Sequence, residues 1–115
     1  MERKELKNKY KATPQPMGIY QIRNRVTGKI FVGSSLNLHG ILNRNRFQLK
    51  NGLHMNQPLQ CDFLEVGEEH FAFEILDTLQ PKEAGKGDYA EELKMLEELW
   101  RERLRLAIEK GYHHG

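Results

Sequence analysis

The clearest pattern along the chain is a stripe near its end, where Tyr89, Leu93, Leu96, Trp100 and Leu104 recur at steps of four, three, four and four residues. That period puts all five on one side of a long amphipathic α-helix, with a short tail from Lys110 to Gly115 after it. Leu59, Phe63 and Val66 repeat the helical spacing over a shorter stretch that opens at Asn56-Gln57-Pro58 and closes at Gly67. Proline suits a first helical turn, where its missing N–H costs little. Leu38, Leu42 and Leu49 predict a further helix over residues 36–49, stopped by Asn51-Gly52.

Elsewhere the pattern is that of strands. Phe71, Phe73 and Ile75 alternate with other residues and predict a strand over residues 71–77 with those three on one face. Residues 17–25 and 29–33 are rich in Ile, Val and aromatics, and Val26-Thr27-Gly28-Lys29 between them supplies turn chemistry. They read as an antiparallel hairpin with Tyr20 and Phe31 on neighbouring strands. Gly33-Ser34-Ser35 then turns the chain, and a serine hydroxyl there is expected to cap the next helix. Pro81 to Gly87, with Gly85, reads as a loop. Residues 2–12 are expected to form a short basic helix ended by Pro14 and Pro16. The order is β-β-α-α-β-α, an α+β pattern, with residues 1–16 as a basic arm and 17–115 as a single domain.

Length and composition agree with one ordinary core: 115 residues, 38% hydrophobic and 30% charged, with no apolar run of membrane-spanning length. The start lacks the apolar stretch of a signal peptide. Cys61 is the single cysteine and cannot form an internal disulfide, so a reducing, cytoplasmic location is the default, with Cys61 as a small core residue. The net charge of +2 hides an asymmetry. Residues 1–50 hold eleven Lys/Arg and two Asp/Glu, residues 51–115 seven and fourteen, so the halves carry +9 and −7. A basic, acid-free stretch around the hairpin suits a polyanion; equally, the two halves attract each other on folding.

Gly18-Ile19-Tyr20, followed ten residues after the tyrosine by Ile30-Phe31-Val32-Gly33-Ser34-Ser35 and then Leu36-Asn37-Leu38, resembles the GIY-YIG nuclease family. The likeness is specific over residues 18–38 and architectural over the rest of residues 17–112. It implies a small three-stranded antiparallel sheet flanked by helices, and metal-dependent endonuclease activity on DNA phosphodiesters. That chemistry needs a base for the attacking water, a cation near the leaving oxygen and a donor for the phosphate.

By this resemblance Tyr20 takes the place of the family's proposed general base. A phenol with a pKa near 10 needs help from nearby cations to act at neutral pH. Glu97, three residues before Trp100, takes the place of the single metal-binding glutamate; one carboxylate suffices for Mg²⁺ or Mn²⁺, which keeps several waters. Glu97 and Arg101 are also spaced for an i,i+4 ion pair.

Two positions depart from the family. Phe31 replaces the second-motif tyrosine and lacks its hydroxyl, and Ile41 stands where the phosphate-binding arginine is expected. Arg44, about one helical turn further on, is the candidate replacement, with His39 behind it. Arg23, Ser34, Arg46 and His54 are candidate phosphate or nucleic-acid contacts. His113 follows Gly111-Tyr112, where relatives often carry asparagine. The expected partner is DNA, with RNA as the other nucleic acid, no membrane, and a monomer or weak dimer. Two functions stay open: a small metal-dependent endonuclease, or a nucleic-acid-binding module on the same fold whose catalysis is impaired by Phe31 and Ile41.

Overall fold

The computed structural model describes residues 16–80 and 89–112. Residues 1–15 of the basic arm, the loop over 81–87, and His113 and His114 fall outside the described residues. Strands β1 (Met17–Asn24) and β2 (Ile30–Ser35) form the hairpin; α1 (Leu38–Lys50), α2 (Gln57–Val66) and a single 3₁₀ turn (Glu68–His70) lead to β3 (Phe71–Leu79); α3 (Ala90–Arg103) and α4 (Arg105–Glu109) complete the chain. The sheet order is β2-β1-β3, antiparallel at both interfaces, so the architecture is the α+β one expected.

Asn24 builds the hairpin turn. Its side-chain oxygen accepts from the Val26 and Thr27 backbone N–H groups at 2.9 and 3.3 Å, while the Gly28 N–H donates to the Asn24 carbonyl at 2.7 Å. Gly28 takes φ +82°, which the tight turn requires and glycine adopts without steric cost. On the other side of β1 the pairing with β3 slips: Ile19 faces Asp77 but Tyr20 faces Ile75, leaving Leu76 as a bulge. Gly18 makes that close approach feasible, because a Cβ there would stand 2.0 Å from the Asp77 carbonyl oxygen.

Each face of the sheet carries its own core. Ile22 and Phe71 pack with Leu49 of α1, Leu59 and Phe63 of α2, and Tyr112, with Phe31, Val66 and Phe73 against them. On the opposite face Ile19, Ile30 and Val32 pack with Leu76, Leu96, Trp100, Leu104, Ala107 and Ile108. The bulge decides how β3 is shared: Phe71 and Phe73 serve the first core, Leu76 turns into the second, and Ile75 is left exposed.

Four sequence expectations change. Asn37, not a serine, caps α1, accepting from the Gly40 N–H at 3.0 Å, while Ser35 Oγ accepts from the Asn37 N–H and donates to the Asn37 carbonyl. The long C-terminal helix breaks at Leu104, which lets α4 lay Ala107 and Ile108 on the second core. Gly111 and Tyr112 are not tail: the Tyr112 N–H donates to the Ile30 carbonyl at 3.1 Å, and its side chain is buried. The Tyr112 hydroxyl donates to Asp62 at 2.8 Å and accepts from Asn24 at 3.1 Å, tying the chain end to the hairpin. Cys61 is exposed on α2 rather than in the core.

The charge asymmetry is used internally. Arg23 pairs with Glu74, Lys29 with Asp62, and both Arg46 and Lys50 with Glu68, cations of the first half meeting carboxylates of the second. Among the described residues, no helix is long and apolar enough to cross a membrane.

Candidate active site

Tyr20 sits at the centre of β1, and the strand alternation turns its side chain toward the α1–α2 face. It is 6% exposed, and its ring runs across Gly33 on β2: a Cβ at Gly33 would lie 2.6 Å from the phenol oxygen. Here the absence of a side chain is the requirement. The Phe31 ring stands 6.4 Å from the Tyr20 ring and meets His54 edge-on at 5.6 Å, so the aromatic packing of the second motif persists without its hydroxyl.

Glu97 reaches β2 from the other face. Its Oε1 accepts from Ser34 Oγ at 2.8 Å and its Oε2 from Arg101 Nε at 2.8 Å, while Arg101 Nη2 donates to the Val32 carbonyl at 3.3 Å. Gly33 and Ser34 are consecutive and therefore present opposite faces. Tyr20 and Glu97 thus meet adjacent residues of an edge strand, Gly33 and Ser34, from opposite sides, close enough to interact electrostatically. Burial raises the Tyr20 pKa above its ordinary value, the nearby Asn45 amide lowers it, the Glu97 charge raises it, and the Arg101 charge lowers it.

Beside Tyr20 opens a cavity of about 460 Å³ lined by Tyr20, Phe31, Ile41, Arg44, Asn45, Gln48, His54, Met55 and Asn56. The lining holds one guanidinium and no carboxylate. Arg44 is exposed there without a carboxylate partner among the described residues, and Ile41 lies in the same wall. The helix positions expected to replace one another therefore do share a surface, one turn apart.

The other candidates separate. Ser34 stands at Glu97. His54 is in the cavity wall but is 7% exposed, with burial lowering its pKa, and both of its ring nitrogens are hydrogen-bonded within the chain. His39 lies exposed in the first turn of α1, outside that wall. Arg46 points to the far side of α1, pairing with Glu68 at 3.5 Å and stacking over Phe73 at 4.5 Å. Arg23 is held by Glu74 through two hydrogen bonds of 3.0 and 3.1 Å, which lower the Glu74 pKa. Neither of these two arginines reaches Tyr20's cavity.

Asn45, Gln48, Asn56 and Arg101 were not singled out as site residues from the sequence. For Asn45 a signal was present: Leu38, Leu42, Asn45 and Leu49 step by four, three and four, so a polar residue occupies a core position of α1. Among the described residues no three His, Cys, Asp or Glu side chains come together, so any cation held here rests on the single Glu97 carboxylate. That donor set fits a hard ion that takes one carboxylate and keeps its waters. Arg101 on the second oxygen competes with it.

A three-stranded antiparallel sheet between two helical layers, with a Gly-Ile-Tyr strand at its centre, is the fold of GIY-YIG catalytic domains. The catalytic domain of the homing endonuclease I-TevI is similar to this chain with a TM-score of 0.67 and 26% identity, over 86% of this chain and 98% of that one. A glutamate-to-alanine mutant of the same domain, from an intron endonuclease, gives a TM-score of 0.68 and 26% identity over 86% and 93%. No family model and no curated protein matches the sequence.

Proposed function

We propose that this protein is a metal-dependent endonuclease that hydrolyses DNA phosphodiester bonds at the β2 edge. The observation that carries the reading is the meeting of Tyr20 and Glu97 at Gly33-Ser34, within a fold similar to a homing endonuclease catalytic domain. Arg44 binds the scissile phosphate from the cavity rim, where a guanidinium's paired donors match phosphate oxygens. Tyr20 takes the proton of the attacking water. Its pKa is raised, so the phenolate is a minor species at neutral pH, favoured by the Asn45 amide and the Arg101 charge. Ser34 and Arg101 fix the Glu97 carboxylate. Glu97 would hold a Mg²⁺ or Mn²⁺ ion, which would supply stabilisation of the charge that develops on the departing oxygen.

One arrangement favours a second reading, a nucleic-acid-binding module with impaired catalysis. Arg101 already neutralises Glu97, and Phe31 and Ile41 remove two groups that relatives use. The experiment that separates them is nicking of supercoiled plasmid with Mg²⁺, Mn²⁺ or no divalent ion. The endonuclease produces open circles only with the ion, and Arg44→Ala removes that product. Salt-sensitive binding with no cleavage under any of these conditions overturns the endonuclease reading in favour of the module.

A further inference from the structure

Besides the phenol, five polar side chains line Tyr20's cavity, and three of them are held by the fold itself. Asn45 donates to the Ile41 carbonyl at 2.8 Å, and its Oδ1 meets His54 Nε2 at 2.6 Å. The other His54 ring nitrogen accepts from the Asn56 N–H at 3.1 Å. The Asn56 side chain accepts from the Leu59 N–H at 3.1 Å and donates to the Tyr112 carbonyl at 2.8 Å. Arg44 and Gln48 remain, and neither side chain has a hydrogen-bond partner among the described residues. They are four residues apart on α1 and so share a face, one above the other.

The rest of the wall is carbon and sulfur. Phe31 stands on the sheet side, Ile41 on α1, and Met55 in the loop after α1, where it is 89% exposed. A thioether left so open is uncovered by the chain, yet its polarisable sulfur makes favourable contacts with aromatic rings. The cavity of about 460 Å³ has the size of sites that take a small organic molecule and exceeds what a phosphate group fills. Along α1, a rise of about 1.5 Å per residue sets Ile41 and Gln48 roughly 10 Å apart, with Arg44 between them. An occupant that matches all of this has an anionic group for Arg44, a flat ring for Met55 and the carbon wall, and an edge for Gln48, whose amide both donates and accepts. A nucleotide has the three together. Its base is available only once it has left the stack, because in a paired duplex the faces and edge are already occupied. We propose that this cavity takes one unstacked nucleobase beside the phosphate that Arg44 binds, with Gln48 on the base edge. The preferred substrate is then DNA with a bulged, mismatched or single-stranded nucleotide next to the cut.

The position of the cut rests on the endonuclease reading; the binding of the base does not. The whole protein, without divalent ion, is titrated by fluorescence anisotropy into a labelled duplex carrying one bulged adenine, whose edge a glutamine amide meets at two points. The comparison DNA carries the same bulge as an abasic sugar-phosphate, equal in charge and flexibility, so the ratio of the two affinities isolates the base. The adenine bulge is expected to bind about tenfold tighter, the worth of one base contact. Gln48→Ala and Met55→Ala are each expected to cut that ratio about threefold or more; Met55 is exposed enough that its loss leaves the fold intact. With Mg²⁺, the nick is expected at the phosphate adjoining the bulged adenine. Equal affinity for the two bulges, or a ratio that either substitution leaves unchanged, overturns the inference. If the ratio is found and no DNA is cut, the endonuclease reading fails and the base site stands; if DNA is cut and the ratio is absent, the base site fails and that reading stands.

Discussion

Gly33→Ala tests how Tyr20 is held more sharply than removing the tyrosine does. The added Cβ falls 2.6 Å from the phenol oxygen, 2.7 Å from Cζ and 2.9 Å from Cε1. Ordinary carbon contacts need about 3.5 Å or more, so the phenol must retreat by roughly 1 Å. It cannot retreat freely, because the ring is almost fully enclosed, with Phe31 beside it. Overpacking of this kind costs about 1–3 kcal/mol of stability, a loss that urea unfolding reads directly. A displacement of about 1 Å in a reacting group costs about 100-fold in rate. Single-turnover nicking of plasmid DNA by folded Gly33→Ala is therefore expected to fall by about two orders of magnitude, with substrate binding retained through Arg44. Wild-type cleavage by a folded Gly33→Ala protein would refute the placement of the phenol over Gly33 as a catalytic requirement.

Two further outcomes concern stability. Tyr112→Phe strips the hydroxyl shared by Asp62 and Asn24 and leaves both groups short of a partner; urea unfolding is expected to show a loss of about 1–3 kcal/mol. Burial lowers the His54 pKa below its ordinary 6.5, so the unfolded chain takes up this proton first. The contribution is present above pH 6.5 and is lost as pH falls toward the folded value, so the melting temperature drops over that window and His54→Gln flattens the drop.

Much of the frame was legible in the sequence because it is local. The stripe from Leu93 to Trp100, the Thr27-Gly28 turn and the alternation of Phe71 and Phe73 are each set by residues a few positions apart, and each element formed where the pattern put it. What was hidden depends on contacts between distant residues. Leu76 bulges because Gly18 admits the Asp77 backbone, and no neighbour of Leu76 announces this. The C-terminal helix breaks at Leu104 without glycine or proline, and beyond the break the chain brings Tyr112 to Asn24 and Asp62.

The same division holds at the site. Tyr20, Glu97 and Arg44 are candidates that motif and spacing name, and the i,i+4 pairing of Glu97 with Arg101 is present as the spacing predicts. Spacing gives no information on which face of the sheet each residue occupies. Tyr20 and Glu97 lie on opposite faces and meet only because Gly33 and Ser34 are adjacent on an edge strand. Arg23 and Arg46 look like free cations in an acid-free stretch, yet their partners, Glu74 and Glu68, arrive from the other half of the chain.

A double-mutant cycle in Mg²⁺-dependent single-turnover cleavage, pairing Tyr20→Phe with Glu97→Gln, bears most directly on the claim that a phenol and a carboxylate act on one phosphodiester across the β2 edge. The account predicts that each single change removes nearly all cleavage and that the double variant is no slower than the worse single one. Losses that simply multiply, or a Tyr20→Phe protein that cleaves like wild type, would contradict it.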